Sequence, residues 1–169
     1  MIVIVFGLPG SGKSYFASHL ASAINAEYLN SDQVRRTMFD RSTYSKKEKL
    51  AVYNEMLAQT RQAVSQKKNL VLDATFYKND IRERFLKDAE NSTAIIFIEI
   101  RAGEHLIKQR LKRPRKYSEA DLKVYQKIKK QWEPLKEPHL LLHSTDDNIR
   151  DMLEQTAEYL HLRNDKRTN

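Results

Sequence analysis

Two hydrophobic rhythms alternate along the chain. Ile2-Val3-Ile4-Val5-Phe6 is an unbroken apolar run, rich in β-branched residues. Asn69-Leu70-Val71-Leu72 and Ala94-Ile95-Ile96-Phe97-Ile98 repeat the pattern, and Glu27-Tyr28-Leu29 and His139-Leu140-Leu141-Leu142 are weaker versions of it. A short run with no polar face fits a strand covered on both sides, as in a parallel sheet. Between these runs the apolar positions recur at helical spacing. Phe16, Leu20 and Ile24 form one stripe, and Leu50, Tyr53, Met56, Leu57 and Val64 a longer one. Ile81, Phe85 and Ala89 form a third. Ile149, Met152, Leu153, Thr156 and Leu160 form the last, with Asp147 or Asn148 placed to cap it. Strands alternating with helices predict an α/β fold with right-handed crossovers and helices on both faces of a parallel sheet. Ligands of such sheets bind beyond the carboxyl ends of the strands. That rule marks residues 7–14, 30–32, 73–75, 101 and 143–146.

The first of these segments carries the clearest chemistry. Gly7-Leu8-Pro9-Gly10-Ser11-Gly12-Lys13-Ser14 satisfies G-x-x-x-x-G-K-[ST], with a strand before it and a helical stripe after it. Glycine lets backbone N–H groups crowd around phosphate oxygens at a helix N-terminus, where the peptide dipoles favour an anion. Lys13 supplies charge to the outer phosphates and Ser14 a hydroxyl to Mg²⁺. Of the chain's 4 glycines, Gly7, Gly10 and Gly12 lie here, so glycine is concentrated where the motif requires it. The loop alone specifies a triphosphate, without choosing between kinase and hydrolase.

Composition narrows the field. The 169 residues amount to about one domain. The absence of cysteine excludes disulfides and thiolate metal sites. No apolar run approaches the roughly 20 residues that cross a bilayer, and no leader pattern precedes the first strand, so a cytoplasmic protein without membrane partners is expected. The five histidines have no metal-ligand spacing; His139 and His143 fall about 13 Å apart on an extended strand. The net charge of +8 is matched by residues 101–130 alone, where eleven Lys and Arg face three acids. This concentration predicts either phosphate binding or a solvated helix face. Arg110, Arg113 and Arg115 flank Pro114, ahead of an expected helix start at Ser118-Glu119-Ala120-Asp121. A short basic lid over about 111–118 follows from that pattern, able to close over phosphates and exclude water.

A guanine-reading Asn-Lys-x-Asp motif is absent, and Asp73-Ala74-Thr75-Phe76 lacks a switch glycine. Small phosphoryl-transfer enzymes and nucleotide-dependent binding modules remain. Transfer to a hydroxyl needs a base, a metal and positive charge around the moving group. Asp32 and Arg35, at i and i+3, can face the same way after the second strand. Asp32 reads as a base and Arg35 as a contact for acceptor charge, or else Ser31 or Asp32 is simply the N-cap of a helix. Asp73 reads as a metal carboxylate, or with Thr75 as a cap for a helix starting near Lys78. Trp132 is expected to pack against the sheet, Tyr117 and Tyr125 are candidates for base stacking, and His143–Asp146 for contact with an adenine.

Taken in order, the loop, Asn30-Ser31-Asp32 with Arg35, and Leu72-Asp73-Ala74-Thr75-Phe76 with Arg82-Glu83-Arg84 resemble the P-loop kinases related to polynucleotide kinase and zeta toxin. Closest is the group of predicted kinases with an AAA-type ATP-binding domain. Arg110-Leu-Lys-Arg113, Ser118–Asp121 and Glu133-Pro134 fit the same group. The resemblance covers about residues 1–140. It implies a P-loop NTPase fold with a five-stranded parallel sheet, ATP as donor with Mg²⁺, and γ-phosphate transfer to a hydroxyl. By this likeness Gly7, Leu8, Pro9, Gly10, Ser11, Gly12, Lys13, Ser14, Tyr15 and Arg110 would hold the nucleotide, and Ser14 and Asp73 the metal. Lys13, Asp32 and Arg113 would act in transfer, with Arg35, Asp73 and Thr75 on the acceptor side. Ser31 stands where the polynucleotide kinase has arginine, which weighs against a nucleic-acid 5′-end. The expected organisation is one kinase domain over 1–162 and a disordered polar tail over 163–169. The acceptor is unidentified, and nucleic acid stays open as a partner.

Overall fold

The structure, a computed structural model, describes residues 1–89, 94–113 and 120–168. Five strands pair in parallel in the order β2-β3-β1-β4-β5. They are β1 (Ile2–Phe6), β2 (Glu27–Asn30), β3 (Leu70–Ala74), β4 (Ile95–Arg101) and β5 (Leu140–His143). All five apolar runs of the sequence are therefore strands of one sheet. The central strand β1 is buried throughout, because β3 and β4 flank it and helices cover both faces. The edge strands β2 and β5 carry exposed positions, which explains their weaker patterns.

The period-2 alternation of the strands sorts the core into two halves. Ile2, Ile4, Phe6, Leu70, Leu72 and Phe97 meet helices α2 (Ser31–Met38), α3 (Lys46–Ser65) and α4 (Asn79–Ala89). Val3, Val5, Val71, Ile96, Ile98 and Leu142 meet α1 (Lys13–Ala23) and α7 (Ile149–Thr168). The chain leaves β1 through α1 on one face and leaves β3 through α4 on the other. A crevice thus opens at the carboxyl end of β1, where the Gly7–Ser14 loop begins.

Three boundaries differ from the sequence reading. β4 runs on through Glu99 to Arg101, because the Glu99 carboxylate is neutralised in place. It lies 2.6 Å from Arg101 Nε and 3.3 Å from His139 Nε2. Helix α6 (Leu122–Lys130) starts after Asp121, whose carboxylate accepts from Val124 N at 2.9 Å. The expected start at Ser118 lies outside the described residues. Helix α7 continues to Thr168, past the point where a tail was expected at 163, because no Gly or Pro interrupts it.

The segment after α6 docks on the face of the sheet that α2, α3 and α4 cover. Trp132 stacks on Phe6 with ring planes 8° apart, as the packing reading anticipates. Glu133 accepts from Lys78 Nζ at 2.6 Å and from Asn79 N at 2.7 Å, so a distant residue caps α4. Tyr125 is buried, with Lys129 over its ring, and is not available to stack on a base.

Candidate functional site

Glycine is required at two positions of the loop. A Cβ at Gly7 would run into the carbonyl oxygen of Ile100 on β4. Gly12 has φ +92°, and a Cβ there would approach Ser144 Oγ to 2.6 Å. Gly12 is also the N-cap of α1 and offers no capping side chain, so the first N–H groups of the helix keep their capacity for an anion. The buried Ser11 hydroxyl likewise has no partner.

A cavity of about 670 Å³ opens in front of this helix end. Gly10, Gly12, Lys13, Ser14 and Tyr15 line it from the loop and α1, and Ser144, Thr145, Asp146, Asn148, Ile149 and Met152 from the β5–α7 turn and α7. The β5–α7 turn is held in shape by Asn148, which accepts from Thr145 N and donates to His143 O, both at 2.8 Å. Its side chain therefore braces the turn that the sequence marks as a possible adenine contact.

Arg110 and Arg113 also line this cavity. Arg110 is already engaged. It donates to Ser144 Oγ at 3.0 Å, Ser11 O at 3.3 Å and Thr145 O at 2.6 Å, and it pairs with Asp146 at 3.2 Å. It ties α5 (Glu104–Leu111) to the loop and to the β5–α7 turn. Arg113 is exposed at the rim, and the rest of the expected lid, 114–118, lies outside the described residues. The basic stretch is thus less free than its composition suggests. Arg101, Lys108, Arg110 and Lys129 all have carboxylate partners.

A second cavity, of about 190 Å³, adjoins the first and shares Lys13, Ser14, Asn30 and Asp32 with it. Its floor is the carboxyl end of β3. Asp73 is fully buried, and its Oδ2 accepts from Tyr28 Oη at 2.7 Å and from Asn30 Nδ2 at 2.5 Å. Its Oδ1 is buried without a partner. Burial and the neighbouring Asp73 charge push the Tyr28 phenol upward, so the hydroxyl stays protonated and keeps donating. Asp73 does not cap α4, a task that falls to Glu133. An orphaned carboxylate oxygen with one lobe already oriented suits a hard divalent cation, alone or through its water. Among the described residues no group of three or more His, Asp or Glu could enclose a metal unaided.

The alternatives left open at Asp32 resolve through Asn30. The Asn30 side chain accepts from Asp32 N at 2.9 Å and Gln33 N at 3.1 Å, so Asn30 is the N-cap of α2, and Ser31 and Asp32 are not. Asp32 sits in the first turn with its carboxylate on the shared cavity wall. Arg35 Nη1 donates to its Oδ1 at 2.8 Å. Arg35 is itself buried, with its Nε 2.9 Å from Glu48 Oε1 and its guanidinium over the Tyr44 ring. Burial alone would raise the Glu48 carboxyl. Hydrogen bonds from Thr43 and Tyr44, with the Arg35 charge, hold it below its ordinary range. Arg35 is therefore committed to two carboxylates, a bond set that the i, i+3 spacing could not reveal because Glu48 lies on the next helix. Thr75 borders the same cavity near Tyr53 Oη. Lys49 and Lys127, the latter from the basic stretch, line it as well.

Comparison with known proteins places these features. The fold matches a sugar kinase from Janibacter sp. with a TM-score of 0.72 at 17% identity, over 95% of this chain and 94% of that one. It matches Chaetomium thermophilum Kti12, solved with ADP-AlF3, with a TM-score of 0.72 at 18% identity, over 94% and 98%. The Mycobacterium tuberculosis APS kinase CysC, solved with AMPPNP and APS, gives 0.71 at 16%, over 95% and 96%. At these identities the likeness is one of fold, and that fold is the P-loop NTPase arrangement seen in kinases. Over 44% of its length the chain is 30% identical to Uncharacterized protein Rv2004c of Mycobacterium tuberculosis. It spans only 18% of that curated relative's length. The AAA domain family model (AAA_33) matches residues 2–135, from the first residue of β1 to just beyond Trp132 and Glu133. With the glycine loop, Asp32, Asp73 and the Glu133 cap of α4 all inside that match, the chain belongs to the AAA domain family.

Proposed function

We propose that the protein is an ATP-dependent phosphotransferase that moves the γ-phosphate to a hydroxyl. The observation that carries this reading is the pair of adjoining cavities with Lys13, Ser14, Asn30 and Asp32 in their common wall. A hydrolase needs one cavity and a water. Two compartments meeting at a lysine and a carboxylate suit a donor on one side and an acceptor on the other.

ATP with Mg²⁺ would supply the transferable phosphoryl group and offset its charge. The α1 N-terminus and Lys13 bind the phosphates, and Ser14 with the free Oδ1 of Asp73 fits the metal side. Asp32 takes the acceptor proton through its second oxygen, which has no partner among the described residues, while Arg35 fixes the first. The acceptor oxygen bonds to the γ-phosphorus as the bond to the bridging oxygen breaks, and the proton passes to Asp32. Arg113, at the cavity rim, adds charge over the moving group.

Acceptor dependence tests the reading. With γ-labelled ATP and a panel of alcohols and 5′-hydroxyl oligonucleotides, label is expected on at least one acceptor. Label found only in inorganic phosphate across the panel would favour a nucleotide-dependent binding ATPase instead. The metal side has its own test. Tyr28→Phe removes one of two donors to Asp73 Oδ2, so the Mg²⁺ concentration for half-maximal transfer should rise roughly tenfold. An unchanged Mg²⁺ titration would remove Asp73 from the metal site.

A further inference from the structure

The acceptor cavity has a charge imbalance that the transfer chemistry does not use. Its lining includes Arg35, Lys49 and Lys127. Arg35 is neutralised by Asp32 and Glu48. Lys49, on α3, and Lys127, on α6, have no carboxylate partner among the described residues. The Lys49 ammonium lies 5.9 Å from the centre of the Tyr77 ring. Burial, then the Lys127 and Arg35 charges, pull the Lys49 ammonium below its ordinary range. Two cations that repel each other across a small cavity cost stability in the empty protein. On the same helices Lys129 pairs with Glu104 and Arg61 with Asp88. Lys49 is half-buried and Lys127 exposed, and both line the acceptor cavity while neither lines the nucleotide cavity.

Resting on the transfer reading above, we propose that the acceptor is a small alcohol that already carries a phosphate group, held by Lys49 and Lys127. Lysine is a compact point charge that suits a phosphate dianion. The cavity of about 190 Å³ leaves room for a small molecule between those lysines and Asp32. The hydroxyl lies at the Asp32 end and the existing phosphate at the lysine end, between α3 and α6. During transfer the acceptor's own phosphate stays intact. Only the bond from its free hydroxyl oxygen to the γ-phosphorus forms, with ADP leaving and the proton going to Asp32.

Two measurements decide it. The first is phosphate binding by calorimetry to protein saturated with AMPPNP, so that the loop is filled. Wild type should show one additional inorganic phosphate site, and Lys49→Gln with Lys127→Gln should weaken it roughly tenfold or more while AMPPNP affinity holds. No such site, or one indifferent to both substitutions, overturns the proposal. The second compares matched acceptors, glycerol against glycerol 3-phosphate and ribose against ribose 5-phosphate. The phosphorylated member of a pair should accept label, and the double variant should raise its KM at least about tenfold. Acceptance of neutral alcohols in preference overturns the charged-acceptor inference and leaves the kinase reading intact. A lower KM for a 5′-hydroxyl oligonucleotide than for any small phosphate overturns the small-molecule assignment. If the lysine-dependent phosphate site exists but no alcohol or oligonucleotide ever gains label, the kinase reading fails and the anion site stands.

Discussion

Asp32→Asn should bind ATP as wild type does and transfer phosphate roughly 10²- to 10⁴-fold more slowly, the range of a lost general base. The structure makes this substitution unusually clean. Asn30, not Asp32, caps α2, so the helix start is untouched. The side-chain carbonyl of asparagine can still accept from Arg35 Nη1, which now lies 2.8 Å from Asp32 Oδ1. Arg35 also keeps Glu48 at 2.9 Å, so no buried guanidinium is stranded. What disappears is the capacity to take a proton. Rapid-quench transfer with a working acceptor, alongside equilibrium nucleotide binding, separates the two effects. Transfer at the wild-type rate would show that Asp32 is not the base. A parallel loss of nucleotide affinity would instead assign it to the donor side, since it borders both cavities.

The fold was legible because its strands are buried on both faces. Ile2–Phe6 and Ala94–Ile98 could satisfy an apolar environment only in a covered parallel sheet. Glu99 hid the end of β4, since a charge normally marks a strand's exit and its partners Arg101 and His139 are apparent only in three dimensions. Asn30 was the legible residue that was missed. Asn ranks with Ser and Asp at an N-cap, and choosing it would have released Asp32 from the capping role at once. The glycine loop, Asp32 and Asp73 were marked by their places after strands. The spacing of Arg35 points to Asp32 but not to its second partner, which comes from α3. In the basic stretch Arg101, Lys108, Arg110 and Lys129 pair with Glu99, Glu104 and Asp146, partners that composition does not show. Lys127 lies in the basic stretch that the sequence marks for phosphate, but nothing local joins it to Lys49. They are 78 positions apart in sequence, and only the packing of α3 near α6 brings them to one cavity.

Arg82→Met should lower stability by about 3–5 kcal/mol, the cost of breaking a buried hydrogen-bond network around a charge. Arg82 is 1% exposed and is the largest fully buried side chain described. Burial lowers its basicity, yet no carboxylate touches it directly. Its guanidinium instead gathers three oxygens. It donates to Phe76 O at 2.8 Å, to Glu133 O at 2.5 Å and to the Asn79 side chain, with the Phe6 ring 5.8 Å away. Methionine fills most of the volume but leaves those oxygens buried without a donor, at about 1–3 kcal/mol for each one that water cannot reach. Lysine would not rescue fully, because a single ammonium cannot reproduce the planar fork that spans three acceptors. The network also sets the acceptor cavity. Phe76 has φ +43°, a conformation that a bulky residue keeps only when its neighbours enforce it. Arg82 holds its carbonyl and Tyr53 Oη its N–H at 3.1 Å, directly after Thr75 in the cavity wall. Chemical denaturation should therefore show the stability loss, and at temperatures where the variant is still folded the acceptor KM should rise while nucleotide affinity changes little. A midpoint shift worth less than about 1 kcal/mol would mean that water or a rearranged Lys78 replaces the guanidinium. The link between α4 and the segment after α6 would then rest on Glu133 and Asn79 rather than on the buried charge.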